Sequence, residues 1–235
     1  MSSEIPPSDY PRVRQVRSFE ELVSTPLAGG VNALCWPRAL AGDFGEVVAL
    51  LGGDQGILLL DDAQLLNLPV GAAGAAAVET LLADLRRLRE RDLDPVLNCI
   101  HGYPRDEAAG PVSTDVFSFH ADSATIETDT YLCTYHGSPS EGLRNEEAVR
   151  KVDLPATRTE LLRQFGGPDD EAFRAHLKER CYDLHYAPTA NARPFSFGVG
   201  HLWRIATEWP GNPVPPCIHR APATRPAQPR LLLIS

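Results

Sequence analysis

Asp115-Val116-Phe117-Ser118-Phe119-His120-Ala121-Asp122 is the segment from which the rest of this 235-residue chain can be read. An extended strand alternates its side chains between two faces. In that conformation Val116, Ser118, His120 and Asp122 share one face, while Phe117, Phe119 and Ala121 share the other. One strand end then offers an imidazole nitrogen and a carboxylate oxygen to a single ion. The third ligand has to come from another strand, and His219 in Cys217-Ile218-His219-Arg220 is placed for it. By composition alone His101, His136, His185 and His201 compete with it. His176 falls in a helical stretch with Phe173 and Leu177 and reads as a packing or surface side chain. Two imidazoles and one carboxylate leave positions open on a transition metal, which suits a site that must also bind small molecules.

Outward from that segment the chain reads as short strands. Pro95–Tyr103, Val116–Asp122, Thr130–His136, Phe195–Trp203, Pro216–Arg220 and Arg230–Ile234 are separated by Gly, Pro, Ser and Asp, as in a β-sandwich or jelly roll. Thr159–Phe165 predicts a helix, Gly166-Gly167-Pro168 stops it, and Asp169 or Asp170 caps a second helix through Cys181. The N-terminal part differs. Ser18, with Glu21 three residues later, marks a helix start. Val31–Trp36 and Ile57–Asp61 read as strands and Phe44–Leu51 as a short helix. The clearest helix is Ala75–Arg91, where Val78, Leu81, Leu82, Leu85 and Leu88 form one stripe and Arg86, Arg87, Arg89 and Arg91 stand off it. Residues 1–15, polar and Pro-rich, read as a loose arm. The expected fold class is α+β and mainly β. It is a single domain with an N-terminal α/β support region over 1–92 and a jelly-roll region over 93–235, interrupted by a helical insertion at about 155–185.

The tail strengthens the metal reading. Arg230 lies eleven residues after His219 and opens the apolar run Leu231-Leu232-Leu233-Ile234. Together with His120-Ala121-Asp122 this ending resembles the Fe(II)/2-oxoglutarate-dependent oxygenase superfamily, over roughly residues 93–235. Thr130–Gly137, Trp209-Pro210-Gly211-Asn212 and His219-Arg220-Ala221-Pro222 also resemble a little-characterised bacterial branch of it. The resemblance implies a double-stranded β-helix in which His120, Asp122 and His219 hold Fe(II). Arg230 would grip 2-oxoglutarate, since a planar guanidinium binds a carboxylate bidentately. O₂ would be the oxidant and a C–H bond of a small-molecule substrate the target, for hydroxylation, desaturation or oxidative cyclisation. Halogenating members carry Ala or Gly where Asp122 stands, so halogenation is disfavoured. Tyr135 or Asn98 is expected to make a further hydrogen bond to the co-substrate, and Arg193, Ser118 and Trp203 are expected to face the substrate. The insertion would cover the mouth of the site. Arg220 and Arg225 are alternative clamps, although Arg220 follows His219 directly and faces the other way on a regular strand.

Three other readings stay open. A cupin-type dioxygenase or isomerase would recruit Glu127, which follows Asp122 with four residues between. An Fe(II) oxidase would need no 2-oxoglutarate. A non-catalytic binding module could keep the fold alone. Composition narrows the rest: 43% hydrophobic and 23% charged residues are those of a soluble globular domain. The net charge of −9 weighs against a nucleic-acid partner. No apolar run approaches membrane-spanning length, and the N-terminus lacks the regions of a signal peptide, so a cytoplasmic protein is expected. Five cysteines without a Cys-x-x-Cys pair argue against a disulfide framework or a zinc ribbon. The expected substrate is a free amino acid or a similarly small carboxylate, and the oligomeric state stays open.

Overall fold

A computed structural model of the chain describes residues 7–105, 110–223 and 228–235. Among these residues the protein is mixed α/β, with thirteen strands in two sheets and six α-helices. The larger sheet runs β1 (Val13–Gln15), β2 (Ala33–Trp36), β11 (Leu202–Ala206), β6 (Asp129–His136), β13 (Arg230–Ile234), β4 (Val96–Ile100), β3 (Ile57–Leu60). The smaller runs β10 (Phe195–Ser196), β7 (Glu141–Leu143), β12 (Ile218–Arg220), β5 (Phe119–His120), β9 (His185–Pro188), β8 (Ala148–Arg150). The strands pair antiparallel, apart from β1 with β2.

Strand alternation builds two cores from one sheet. On β6 and β13, Tyr131, Cys133, Tyr135, Leu231 and Leu233 face outward. They pack with Leu22 of α1 (Phe19–Ser24), Val47 of α2 (Phe44–Leu51) and Leu81, Leu85 and Leu88 of α4 (Ala72–Arg89). Leu132, Trp203, Ile205 and Leu232 face the smaller sheet and meet Phe195, Phe197 and Cys217. The helices begin where capping chemistry permits. Ser18 Oγ accepts the N–H of Glu21, and Asp43 and Asp170 cap α2 and α6 (Glu171–Glu179). α5 (Pro155–Phe165) opens on a proline and ends at Gly166, whose φ of 72° is left-handed. α5 and α6 form the expected insertion, with a core of their own around Leu161, Phe173 and Leu177.

The N-terminal part joins the C-terminal strands directly, since β1, β2 and β3 extend the same sheet. Several other expectations are corrected. Residues 1–6 of the expected loose arm lie outside the described residues. Beyond them the chain is held, with Tyr10 buried, its hydroxyl donating to Asn145 Oδ1, and β1 paired to β2. The expected strand Phe195–Trp203 is split, since Gly198 and Gly200 adopt positive φ between β10 and β11. All five cysteines are free, and four are buried. No helix among the described residues is long and apolar enough to cross a membrane.

Candidate metal centre

β5 is two residues long but is held on both sides, between β12 and β9. The register sets His120 opposite both His219 on β12 and His185 on β9. The His120 and His219 rings are 4.6 Å apart between centroids. β7 pairs on the far side of β12, where Gly142 faces His219 in the register. A Cβ at Gly142 would meet the Phe195 ring at 2.3 Å, so only glycine fits there. Asp122 follows the strand, with Oδ1 3.7 Å from His120 Nε2 and Oδ2 3.8 Å from His219 Nε2. One ligating atom from each of the three lies within 4.8 Å of the others. An ion about 2.1 Å from each ligand atom spans separations up to about 4.2 Å, which covers both carboxylate–imidazole distances.

Neighbouring groups prepare all three for a cation. His120 Nδ1 is 2.8 Å from the Ser118 carbonyl and His219 Nδ1 is 3.4 Å from that of Cys217. A carbonyl only accepts, so each Nδ1 carries the proton and each Nε2 keeps its lone pair. Burial, and after it the nearby His219, hold His120 down at about 4, which leaves it neutral as a ligand must be. Thr130 Oγ1 donates to Asp122 Oδ2 at 2.7 Å. Burial alone would raise the Asp122 pKa, but His219, that hydrogen bond and His120 outweigh it and the net shift is downward.

Arg230 stands across the same cavity, which measures about 220 Å³ between the two sheets. Its residue exposure is 5%, and its guanidinium donates to Tyr103 Oη at 2.8 Å, Thr134 Oγ1 at 2.9 Å and Ser140 Oγ at 2.6 Å. All three partners are neutral hydroxyls. Its Nε has no partner, and no carboxylate pairs with it among the described residues. Buried cations are normally paired, and this one has only hydroxyl partners among the described residues.

The other expected site residues fare differently. Asn98 lines the cavity. Tyr135 does not: it points to the helix layer, stacks on Phe44 and donates to Asp84 Oδ2. Asp84, on α4, also binds Arg38 and Arg87, a buried knot that fixes the helix to the sheet. Trp203 is a core side chain, stacked on Phe197 and bonded to its carbonyl. Arg193 is exposed, and its charge acts on Asp9. Ser118 leaves the strand, because Asp115 Oδ1 accepts the N–H groups of Phe117 and Ser118 and turns the chain. Its hydroxyl accepts from Lys151 Nζ at 2.8 Å and meets His185 Nδ1 at 3.0 Å, which ties it to the insertion rather than to the cavity. His201 accepts the Arg38 N–H, and His101, His136, His176 and His185 fall outside the ligand cluster. Arg220 pairs with Glu141 on the far face, and Arg225 lies outside the described residues. Glu127 is exposed and not in the cluster, which removes the cupin ligand set.

Sequence reasoning passed over Thr130, Tyr103, Thr134 and Ser140. The first and third carried a readable signal: Thr130, Leu132 and Thr134 alternate through β6, so two hydroxyls share a face with an apolar residue. Comparison with protein-family models, with curated proteins and with solved structures found no match.

Proposed function

We propose that the protein is a non-haem Fe(II)- and 2-oxoglutarate-dependent oxygenase that oxidises a C–H bond of a small molecule. The single observation that carries this is the pairing, in one cavity, of a two-histidine, one-carboxylate cluster with a buried guanidinium that has no acidic partner among the described residues. The donor set suits Fe(II) with open positions. The strand order supports a double-stranded β-helix core, with β4, β13, β6 and β11 on one side and β5, β12, β7 and β10 on the other.

When bound, iron and 2-oxoglutarate would supply the oxidation itself, with O₂ consumed and succinate and CO₂ released. The chain would orient the participants. His120 and His219 present fixed Nε2 atoms, and Thr130 holds the Asp122 carboxylate toward them. Thr134, bonded to Arg230, lies four residues along β6 from Thr130, bonded to Asp122. That is a backbone span of about 13 Å at strand rise. Side chains reaching inward from both ends leave room for a short dicarboxylate between metal and guanidinium. Neutral hydroxyls around Arg230 keep its charge unneutralised until such a ligand arrives.

The test is iron binding together with succinate release in the presence and absence of 2-oxoglutarate. One Fe(II) per chain, lost in His120→Ala, Asp122→Ala and His219→Ala, is expected. Oxygen consumption that proceeds without 2-oxoglutarate would replace this reading with an Fe(II) oxidase whose Arg230 holds the substrate.

A further inference from the structure

We propose that the metal cavity continues outward as an apolar shelf on the β3–β4 edge of the larger sheet, and that the substrate carries an uncharged hydrocarbon body lying on it. This rests on the oxygenase reading and names the substrate class for the same site. The register defines the shelf. Ile57 pairs with Ile100, Leu59 with Asn98, and Val96 with Ile234. Ile57, Asn98, Ile100 and Ile234 line the cavity, and alternation along β3 and β4 puts Leu59 and Val96 on the same face. Ile57, Leu59 and Val96 are 44%, 63% and 37% exposed. One exposed leucine needs no explanation, whereas a contiguous apolar group running into a cavity does.

Size and charge identify the occupant. Pockets that enclose a small-molecule ligand measure about 300–1,000 Å³. The cavity here measures about 220 Å³ and is lined by the metal cluster and Arg230 together with the shelf residues Ile57, Asn98, Ile100 and Ile234. A substrate larger than that volume reaches past it, onto Leu59 and Val96. Among the described residues Arg230 is the one arginine or lysine lining the cavity, and the reading above commits it to the co-substrate. Arg193, expected to meet a substrate carboxylate, is exposed and does not line the cavity. Among the described residues the shelf offers no cation to a second anion, and Asn98 is its one polar side chain. Ile57, Ile100 and Ile234 line the metal cavity itself, so the surface is continuous with that site and a substrate fits it. The expected free amino acid or small carboxylate thus gives way to a neutral, hydrocarbon-bearing compound.

The experiment uses the full chain with Fe(II) and 2-oxoglutarate under anaerobic conditions, titrated calorimetrically with 1-alkanols from hexanol to decanol. Affinity is expected to rise about fourfold per methylene until the shelf is filled. Leu59→Glu and Val96→Glu, both at exposed positions, are expected to abolish this dependence while iron and 2-oxoglutarate binding stay unchanged. A flat alkanol series with both still bound overturns the inference. So does a dimer in sedimentation that Leu59→Glu dissociates. Iron and 2-oxoglutarate binding in the same samples report on the oxygenase reading separately. Their loss with chain-length dependence intact would sink that reading and leave the shelf a binding site for apolar ligands.

Discussion

Replacing Arg230 by Met separates ligand recognition from stability. The guanidinium is buried, bonds to three hydroxyls and has no counter-charge among the described residues. Hydrogen bonds to a charged group contribute about 1.5–3 kcal/mol each against water, but desolvating the ion costs several kcal/mol. Met has similar length and no charge, and its neighbours Ile100 and Leu232 are apolar. Tyr103, Thr134 and Ser140 lose a donor to their oxygens, yet each keeps its own proton to place elsewhere. Buried charges replaced by apolar side chains of similar volume are commonly neutral or stabilising by about 1–4 kcal/mol. The ligand-free variant should therefore melt no lower than wild type, and each kcal/mol gained should add about 2–4 °C. Losing the charge pair with 2-oxoglutarate should weaken its binding by about 2–5 kcal/mol, roughly 30-fold or more. Differential scanning calorimetry of the metal-loaded proteins reads both effects. At a hundredfold excess over its wild-type dissociation constant, 2-oxoglutarate should stabilise wild type by about 2.7 kcal/mol and Arg230→Met by about 0.9 kcal/mol or less. A variant that melts well below wild type, or that still responds fully to 2-oxoglutarate, would refute the reasoning. Arg230 would then be a structural hub rather than an anion receptor.

Three more perturbations address other parts of the site. Thr130→Val removes the hydroxyl that holds Asp122 and should weaken metal binding about 10–100-fold with the fold retained, measured by competition with a chelator of known affinity. His120 is depressed to about 4 in the folded state from 6.5, so the unfolded chain protonates first. The metal-free protein should lose stability as pH falls from about 6.5 toward 4, by about 3 kcal/mol from this group. His120→Gln should flatten that part of the urea-midpoint profile, and identical profiles for variant and wild type would show that His120 is not so held. Asp84→Ala leaves the buried Arg38 without its partner and should cost about 3–5 kcal/mol in urea unfolding, while metal affinity of the folded protein stays unchanged.

What the sequence made legible divides by physical kind. β13 and α2 have the expected limits because apolar runs end at Pro229, Gly52 and similar breaks. α4 followed from a long 3.6-residue stripe, although Asp84 within that stretch is buried in an ion-paired knot rather than exposed. β7, β8 and β9 were missed because three- or four-residue strands of mixed polarity carry almost no period. That β3 pairs with β4 and β2 with β11, so that residues 1–92 share the C-terminal sheet, was not legible. Such pairings join distant segments and leave no local mark.

The site divides along the same line. His120, Asp122, His219 and Arg230 were legible as residue types at telling spacings. Tyr135 was misplaced because Thr130–Tyr135 is buried on both faces, so composition cannot say which parity of β6 looks inward. One anchored contact settles it. Thr130 bonds Asp122, so the even-numbered residues Leu132 and Thr134 face the cavity, and Tyr135 must face the helices. What makes Arg230 a receptor is harder still to read from a chain. It is the company of three neutral hydroxyls, drawn from the segment after β4, from β6 and from the loop before β7, with no acid among them. The sequence holds 31 acidic residues. Only the fold determines that none of the described ones reaches this guanidinium, and a charge left unpaired in this way is the feature that an anionic co-substrate would answer.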